Sequence, residues 1–139
     1  MVLRADLAAD LPPVAGDRVQ LQQVILNLLL NAADAVRSVV DRPRHVSVRT
    51  GRDEADHVRL TVQDAGTGLE PQAVPRIFEA FYSTKTGGMG IGLSVSRSII
   101  ESHQGRLWAA ANLEGPGATF AFTLPCAAAD AALRPAAGS

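Results

Sequence analysis

Asn27-Leu-Leu-Leu-Asn31-Ala-Ala-Asp34-Ala35 decides how this sequence folds. Two carboxamides stand one helical turn apart in a run otherwise made almost wholly of leucine and alanine. Working outward, Leu21, Val24, Ile25, Leu28, Ala32, Ala35, Val36 and Val39 recur at helical spacing. Gln20, Gln23, Asn27, Asn31 and Asp34 form a second, polar stripe on the same segment. The pattern predicts a helix from Arg18 to about Asp41, with Asp17 as its N-cap and Gln20 as the capping-box partner. Leu26, Leu29 and Leu30 leave little of the circumference polar, so the helix is expected to be buried on most sides.

On either side of this helix the sequence changes period. Residues 1–16 read as a short strand or arm closed by Pro12, Pro13 and Gly16. After Pro43, Val46 to Thr50 alternates as a strand, Gly51 to Asp56 is a polar hairpin, and Val58 to Gln63 is a second strand. Ala65 to Leu69 is a glycine turn, Pro71 suits the first position of a short helix, and Pro75 keeps that helix short. Phe78 to Gly88 has no periodicity and is expected to be a mobile loop. Gly90 to His103 reads as a helix with Ile91, Val95 and Ile99 on one face and Gly105 as its stop. Arg106 to Ala111 and Ala118 to Leu124 complete the strands around a Gly115-Pro-Gly117 turn. Beyond Pro125 the composition collapses to Ala, Gly and Pro, so residues 1–125 are expected to form the domain and 126–139 a disordered tail or linker.

Three segments carry chemistry. Asparagine is a mediocre helix residue because its amide competes with the backbone, so Asn27 and Asn31 require a reason. Their carbonyl oxygens can converge on a hard cation such as Mg²⁺, which takes oxygen ligands alongside substrate phosphates. Equally, the amides can satisfy each other or the neighbouring sheet. Asp64, at a strand end before Gly66 and Gly68, can accept a hydrogen bond from a ligand amine such as that of adenine, or can be an ordinary Asp-Gly turn residue. Thr86-Gly87-Gly88-Met89-Gly90-Ile91-Gly92 runs into a helix, where stacked amides and the helix N-terminus favour phosphate, and Lys85 adds a positive charge. The spacing is neither a P-loop nor a Rossmann fingerprint. His45, His57 and His103 form no triad and suggest no site.

Composition narrows the class. The 139 residues are 47% hydrophobic and 19% charged with a net charge of -1, which suits a globular domain and offers no basic surface for nucleic acid or an anionic membrane. The single cysteine, Cys126, can form no internal disulfide, and the longest apolar stretch, Val24 to Leu30, is far too short to span a bilayer. A cytoplasmic location is expected, in a parent protein free to carry a membrane anchor elsewhere.

In this order and at these intervals, the segments resemble the ATP-binding catalytic domain of sensor histidine kinases, within the gyrase, Hsp90, histidine kinase and MutL ATPase superfamily. The resemblance covers about residues 10–125. Gln22 to Ala35 is similar to the N box, Asp64 to Gly68 to the G1 box, Phe78 to Lys85 to the F box, Gly88 to Leu93 to the G2 box, and Gly115 to Phe120 to the last glycine box. It implies a Bergerat-type α/β two-layer sandwich, a mixed sheet with helices on one face and a mobile ATP lid over 78–88. It implies ATP bound with Mg²⁺ on Asn31, with Asn27 supporting the phosphates, Asp64 reading adenine and Thr119 assisting through water. The implied catalytic residues are Asn27, Asn31 and Lys85. Asp34, Gly66, Gly68, Phe81, Thr86, Gly87, Gly88, Met89, Gly90, Ile91, Gly92 and Leu93 complete the implied nucleotide site.

Gyrase-type members carry glutamate at the position of Asn27, and an amide cannot take a proton at neutral pH, which favours phosphotransfer over hydrolysis. The expected acceptor is a histidine on a dimerisation domain absent from residues 1–16, with a response regulator downstream and this fragment monomeric. A stand-alone serine kinase of the anti-sigma-factor type, or a nucleotide-binding module that signals by binding alone, would use the same fold. The F box and the Gly88-to-Leu93 run favour the sensor-kinase branch over the first, and the intact boxes argue against the second.

Overall fold

The computed structural model describes residues 1–9, 11–53, 56–68, 74–79, 89–112 and 115–127. Five strands form one sheet: β1 (Val2–Asp6), β2 (His45–Asp53), β3 (His57–Asp64), β4 (Arg106–Ala111) and β5 (Ala118–Pro125). Their order is β1-β2-β3-β5-β4, with β1 parallel to β2 and the other pairs antiparallel, so the sheet is mixed as expected. The helices are α1 (Arg18–Arg37) and α2 (Met89–Ser102), with a 3-10 turn at Val74–Arg76.

Alternation along the strands sorts their side chains into two faces. On one face, Val48, Val62, Phe120 and Ala109 line up across the sheet, followed by Leu60, Phe122 and Leu107. Val24, Leu28, Ala32 and Val36 of α1, with Leu93 and Ile100 of α2, close this core from above. Phe78 packs edge-to-face on Phe120 with ring centroids 6.1 Å apart. Each fully buried side chain of this size contributes about 1.5–3 kcal/mol. The opposite face holds Trp108, with the guanidinium groups of Arg59 and Arg106 over its ring at 5.1 and 5.4 Å from the centroid.

Several boundaries differ from the pattern reading. Helix α1 ends at Arg37, where Ser38 caps it and donates its N–H to the Val36 carbonyl, not near Asp41. The Arg44 Nε then donates to the Val39 carbonyl, turning the chain toward β2. Nor is α1 buried on most sides: Val19, Leu26 and Leu30 are 70%, 49% and 50% exposed, because among the described residues the sheet and α2 pack on the flank that carries Val24, Leu28, Ala32 and Val36. The Gly51–Asp56 hairpin is shorter than expected, since Gly51, Arg52 and Asp53 stay in the ladder opposite Arg59, Val58 and His57. On α2 the inward stripe is Leu93, Ser96 and Ile100, while Val95 is 41% exposed. A serine at the centre of that stripe hid it from an apolar count.

The ends of the helices meet. Asp17 accepts hydrogen bonds from the Val19 and Gln20 N–H groups, as an N-cap should. The capping-box partner expected in Gln20 is instead His103, whose Nε2 accepts from the Asp17 N–H at 3.1 Å while Nδ1 donates to the Ile99 carbonyl at 2.8 Å. These partners fix the imidazole tautomer. Helix α2 closes in a Schellman motif: Gly105 N–H donates to Ile100 O and Gln104 N–H to Glu101 O. The left-handed residue is Gln104, φ 61°, and not the glycine after it. Past β5, Cys126 N–H donates to Asp56 O and Ala127 N–H to Pro13 O, so the chain is tied to the fold through Ala127.

Candidate functional site

Residues Asn27, Asn31 and Ala35 form one i, i+4 column along α1, and each meets something different. Asn27 is 8% exposed and fully engaged. Its Nδ2 donates to the Gly92 carbonyl at 3.1 Å and to Ser96 Oγ at 3.0 Å, and its Oδ1 accepts from Gln23 Nε2 at 2.8 Å. The first turn of α2 is thereby fastened to α1. For Asn27 the amide-satisfied-by-neighbours alternative is therefore the geometry observed.

At the other end of the column the backbone of the Asp64–Gly68 turn rests on Ala35. A methyl at Gly66 would lie 2.5 Å from the Ala35 carbonyl oxygen, so only glycine fits. The Thr67 N–H donates to that same oxygen. Asn31 stands between these two anchor points, half-buried, and no hydrogen bond to a described residue engages its amide.

Asp64 is 2% exposed at the end of β3. Its Oδ1 accepts from Gly66 N–H at 2.9 Å and from Ala118 N–H at 3.3 Å. Asp64 is thus an Asp-Gly turn residue and a buried carboxylate of the core-facing side at once. Two residues that the sequence did not single out brace this corner. Arg42 donates from Nε to the Ala65 carbonyl and from Nη2 to the Gly66 carbonyl at 2.6 Å, with Asp41 holding its Nη1. Asn112 donates from Nδ2 to the Asp64 carbonyl at 2.9 Å.

The remaining expected residues divide. Gly68 takes a left-handed φ of 85° in the turn. Gly92 lies against Asn27, and Met89, Gly90 and Ile91 form the first turn of α2, which carries no acidic residue. Leu93 is a core residue, 6% exposed. Asp34 is ion-paired with Arg37 at 3.3 Å. Thr119 lies in register with Gln63 and Ala110, on the sheet face opposite Asp64, and its Oγ donates to Asn112 Oδ1 at 2.7 Å. Of the lid expected over 78–88, Phe78 is instead a buried core residue, while Phe81, Lys85, Thr86, Gly87, Gly88 and the rest of 80–88 lie outside the described residues.

Among the described residues no group of three His, Cys, Asp or Glu side chains could cage a metal. Were Mg²⁺ to bind, Asn31, whose amide has no hydrogen bond to a described residue, would offer it one oxygen, with the remaining oxygens left to ligand and water. No helix among the described residues is long and apolar enough to cross a membrane.

Comparison with known proteins agrees with this architecture. Residues 16–128 match the family described as histidine kinase-, DNA gyrase B- and HSP90-like ATPase. The sensor protein FixL of Bradyrhizobium diazoefficiens is 48% identical over 122 residues, covering 88% of this chain and 23% of that protein. Full-length ShkA in complex with AMPPNP superposes with a TM-score of 0.78 at 31% identity, over 91% of this chain and 26% of that one. The histidine kinase ThkA in complex with the response regulator protein TrrA gives a TM-score of 0.72 at 26% identity, over 90% of this chain and 34% of that one. The chain therefore spans about a quarter to a third of the proteins it resembles here.

Proposed function

Because the chain belongs to the histidine kinase-, DNA gyrase B- and HSP90-like ATPase family, we propose that it binds ATP with Mg²⁺ and donates the γ-phosphate to a histidine on a dimerisation domain outside this sequence. It would serve as the catalytic domain of a two-component sensor kinase acting through a response regulator. The observation that carries this reading is the Asn27–Asn31–Ala35 column. It sets an uncommitted amide oxygen between the first turn of α2 and the buried carboxylate of Asp64. A nucleotide laid along it would bring its base to Asp64, its phosphates to the α2 amides and its bridging metal to Asn31.

Each end suits its group. Amides of a helix N-terminus free of acidic side chains favour phosphate. Asp64 offers an acceptor to the adenine amine, and GTP, with a keto oxygen there, would be repelled. The metal would neutralise phosphate charge, and the protein's part is positioning rather than covalent chemistry.

At Asn27 the amide oxygen already accepts from Gln23, and a carboxamide is no base at neutral pH, so nothing there can take a proton from water. This supports transfer to an external acceptor over hydrolysis. The relatives above include a sensor protein and a histidine kinase, which gives no support to the stand-alone serine kinase.

The test is labelling with γ-labelled ATP, alone and with a histidine-bearing dimerisation domain added in trans. Label should pass to the added domain. Asn31→Ala should abolish transfer with its melting temperature near that of the parent, since no described bond is lost. Stoichiometric labelling of His45, His57 or His103, or full transfer by Asn31→Ala, would overturn the reading.

A further inference from the structure

We propose that Asn112 is a positioning residue for base recognition, and that Thr119 acts through it rather than on the nucleotide. The inference rests on the reading of Asp64 as the adenine acceptor. At Asp64 the β3–β5 ladder has run out: Gln63 opposite Thr119 is its last pair. Gly117 turns away at φ 109°, and a side chain there would run into the Asp64 carbonyl oxygen. The Asp64 peptide would thus be left without a strand partner on the β5 side.

Asn112, the residue after β4, fills that place. Its Nδ2 donates both to Asp64 O, at 2.9 Å, and to Pro116 O, at 2.8 Å, while its own N–H donates to Gly117 O. The one side chain therefore ties the Gly115–Gly117 turn to the main chain of the carboxylate. The same turn leads into the Ala118 N–H that holds Asp64 Oδ1. With its carbonyl and its carboxylate both held, Asp64 has little freedom to rotate, and its carboxyl is fixed in one direction.

Thr119 completes the device from the far face of the sheet. Its single O–H is given to Asn112 Oδ1, so the amide of Asn112 has only one orientation that satisfies all its partners: oxygen to the hydroxyl, nitrogen to the two carbonyls. Asn112→Asp would keep the acceptor for Thr119 and set a carboxylate oxygen against two carbonyl oxygens. It should therefore be worse than Asn112→Ala.

The experiment compares affinities of the full chain for ATP and for purine riboside triphosphate, which lacks the 6-amino group. The parent should prefer ATP. Asn112→Ala should weaken ATP binding about three- to tenfold, the worth of one net hydrogen bond, and leave the purine analogue nearly unchanged. In an Asp64→Asn background the same substitution should not alter the ratio further. Thr119→Val, which keeps shape and removes the O–H, should shift the ratio in the same direction by less, and it decides the matter if Asn112→Ala does not fold. Equal weakening of both nucleotides, or an unchanged effect in the Asp64→Asn background, would overturn the positioning role. If Asp64→Asn alone leaves the parental ratio intact, it is the adenine reading that fails.

Discussion

The two anchor points of α1 are made of different material. At Asn27 the helix meets α2 through side chains: one carboxamide joins Gln23, Ser96 and the Gly92 carbonyl. At Ala35 it meets the Asp64–Gly68 turn through main chain, with glycine pressed against a carbonyl. The first contact is vulnerable to removing atoms and the second to adding them. The phosphate end of the proposed site thus hangs on a small polar knot, and the base end is built into the sheet.

The largest effect expected from this contrast is at Asn27. Asn27→Ala strips partners from buried Ser96, from Gln23 and from the Gly92 carbonyl, and should destabilise the fold by about 2–4 kcal/mol in urea titrations. A loss below about 1 kcal/mol would mean that the knot is ornamental and α2 is held by packing alone. Gly66→Ala comes next. The added methyl meets Ala35 backbone and should destabilise by about 1–3 kcal/mol, with the turn displaced and ATP affinity reduced. Neutral behaviour there would break the claim that the corner is close-packed main chain. The smallest effect is the sharpest check. A methyl at Gly92 meets Asn27 at 3.5 Å, an ordinary contact, and replaces a glycine inside a helix. Gly92→Ala should raise stability by up to about 1 kcal/mol. The same substitution is thus expected to have opposite signs at the two anchor points.

Much of this was legible beforehand, and what was missed has identifiable causes. Helical and strand periods and the Asp17 cap follow from local pattern, whereas the mixed sheet with helices on one face came only through the resemblance of the ordered boxes to a known family. Spacing could not separate Asn27 from Asn31. Four residues turn a helix about 40° past a full revolution, and that rotation carries Asn31 clear of the α2 contact. Arg42, Asn112 and His103 escaped because each binds main-chain groups of a distant segment: carbonyls for Arg42 and Asn112, an amide N–H for His103. No residue pattern encodes such partners. The face of Thr119, by contrast, could have been counted. Phe120 and Phe122 face the helices, so Ala118 shares their face and Thr119 lies behind it.

The outer face of the sheet carries one more consequence. Trp108, the protein's sole tryptophan, lies beneath two guanidinium groups on the side away from Asp64 and α1. Its ultraviolet emission is therefore a reporter of the sheet that does not look at the nucleotide. It should shift when Arg59, Arg106 and the ring part company on denaturation, and hold level while ATP is titrated. The chain thus comes with an internal optical channel in which folding can be followed apart from ligand occupancy.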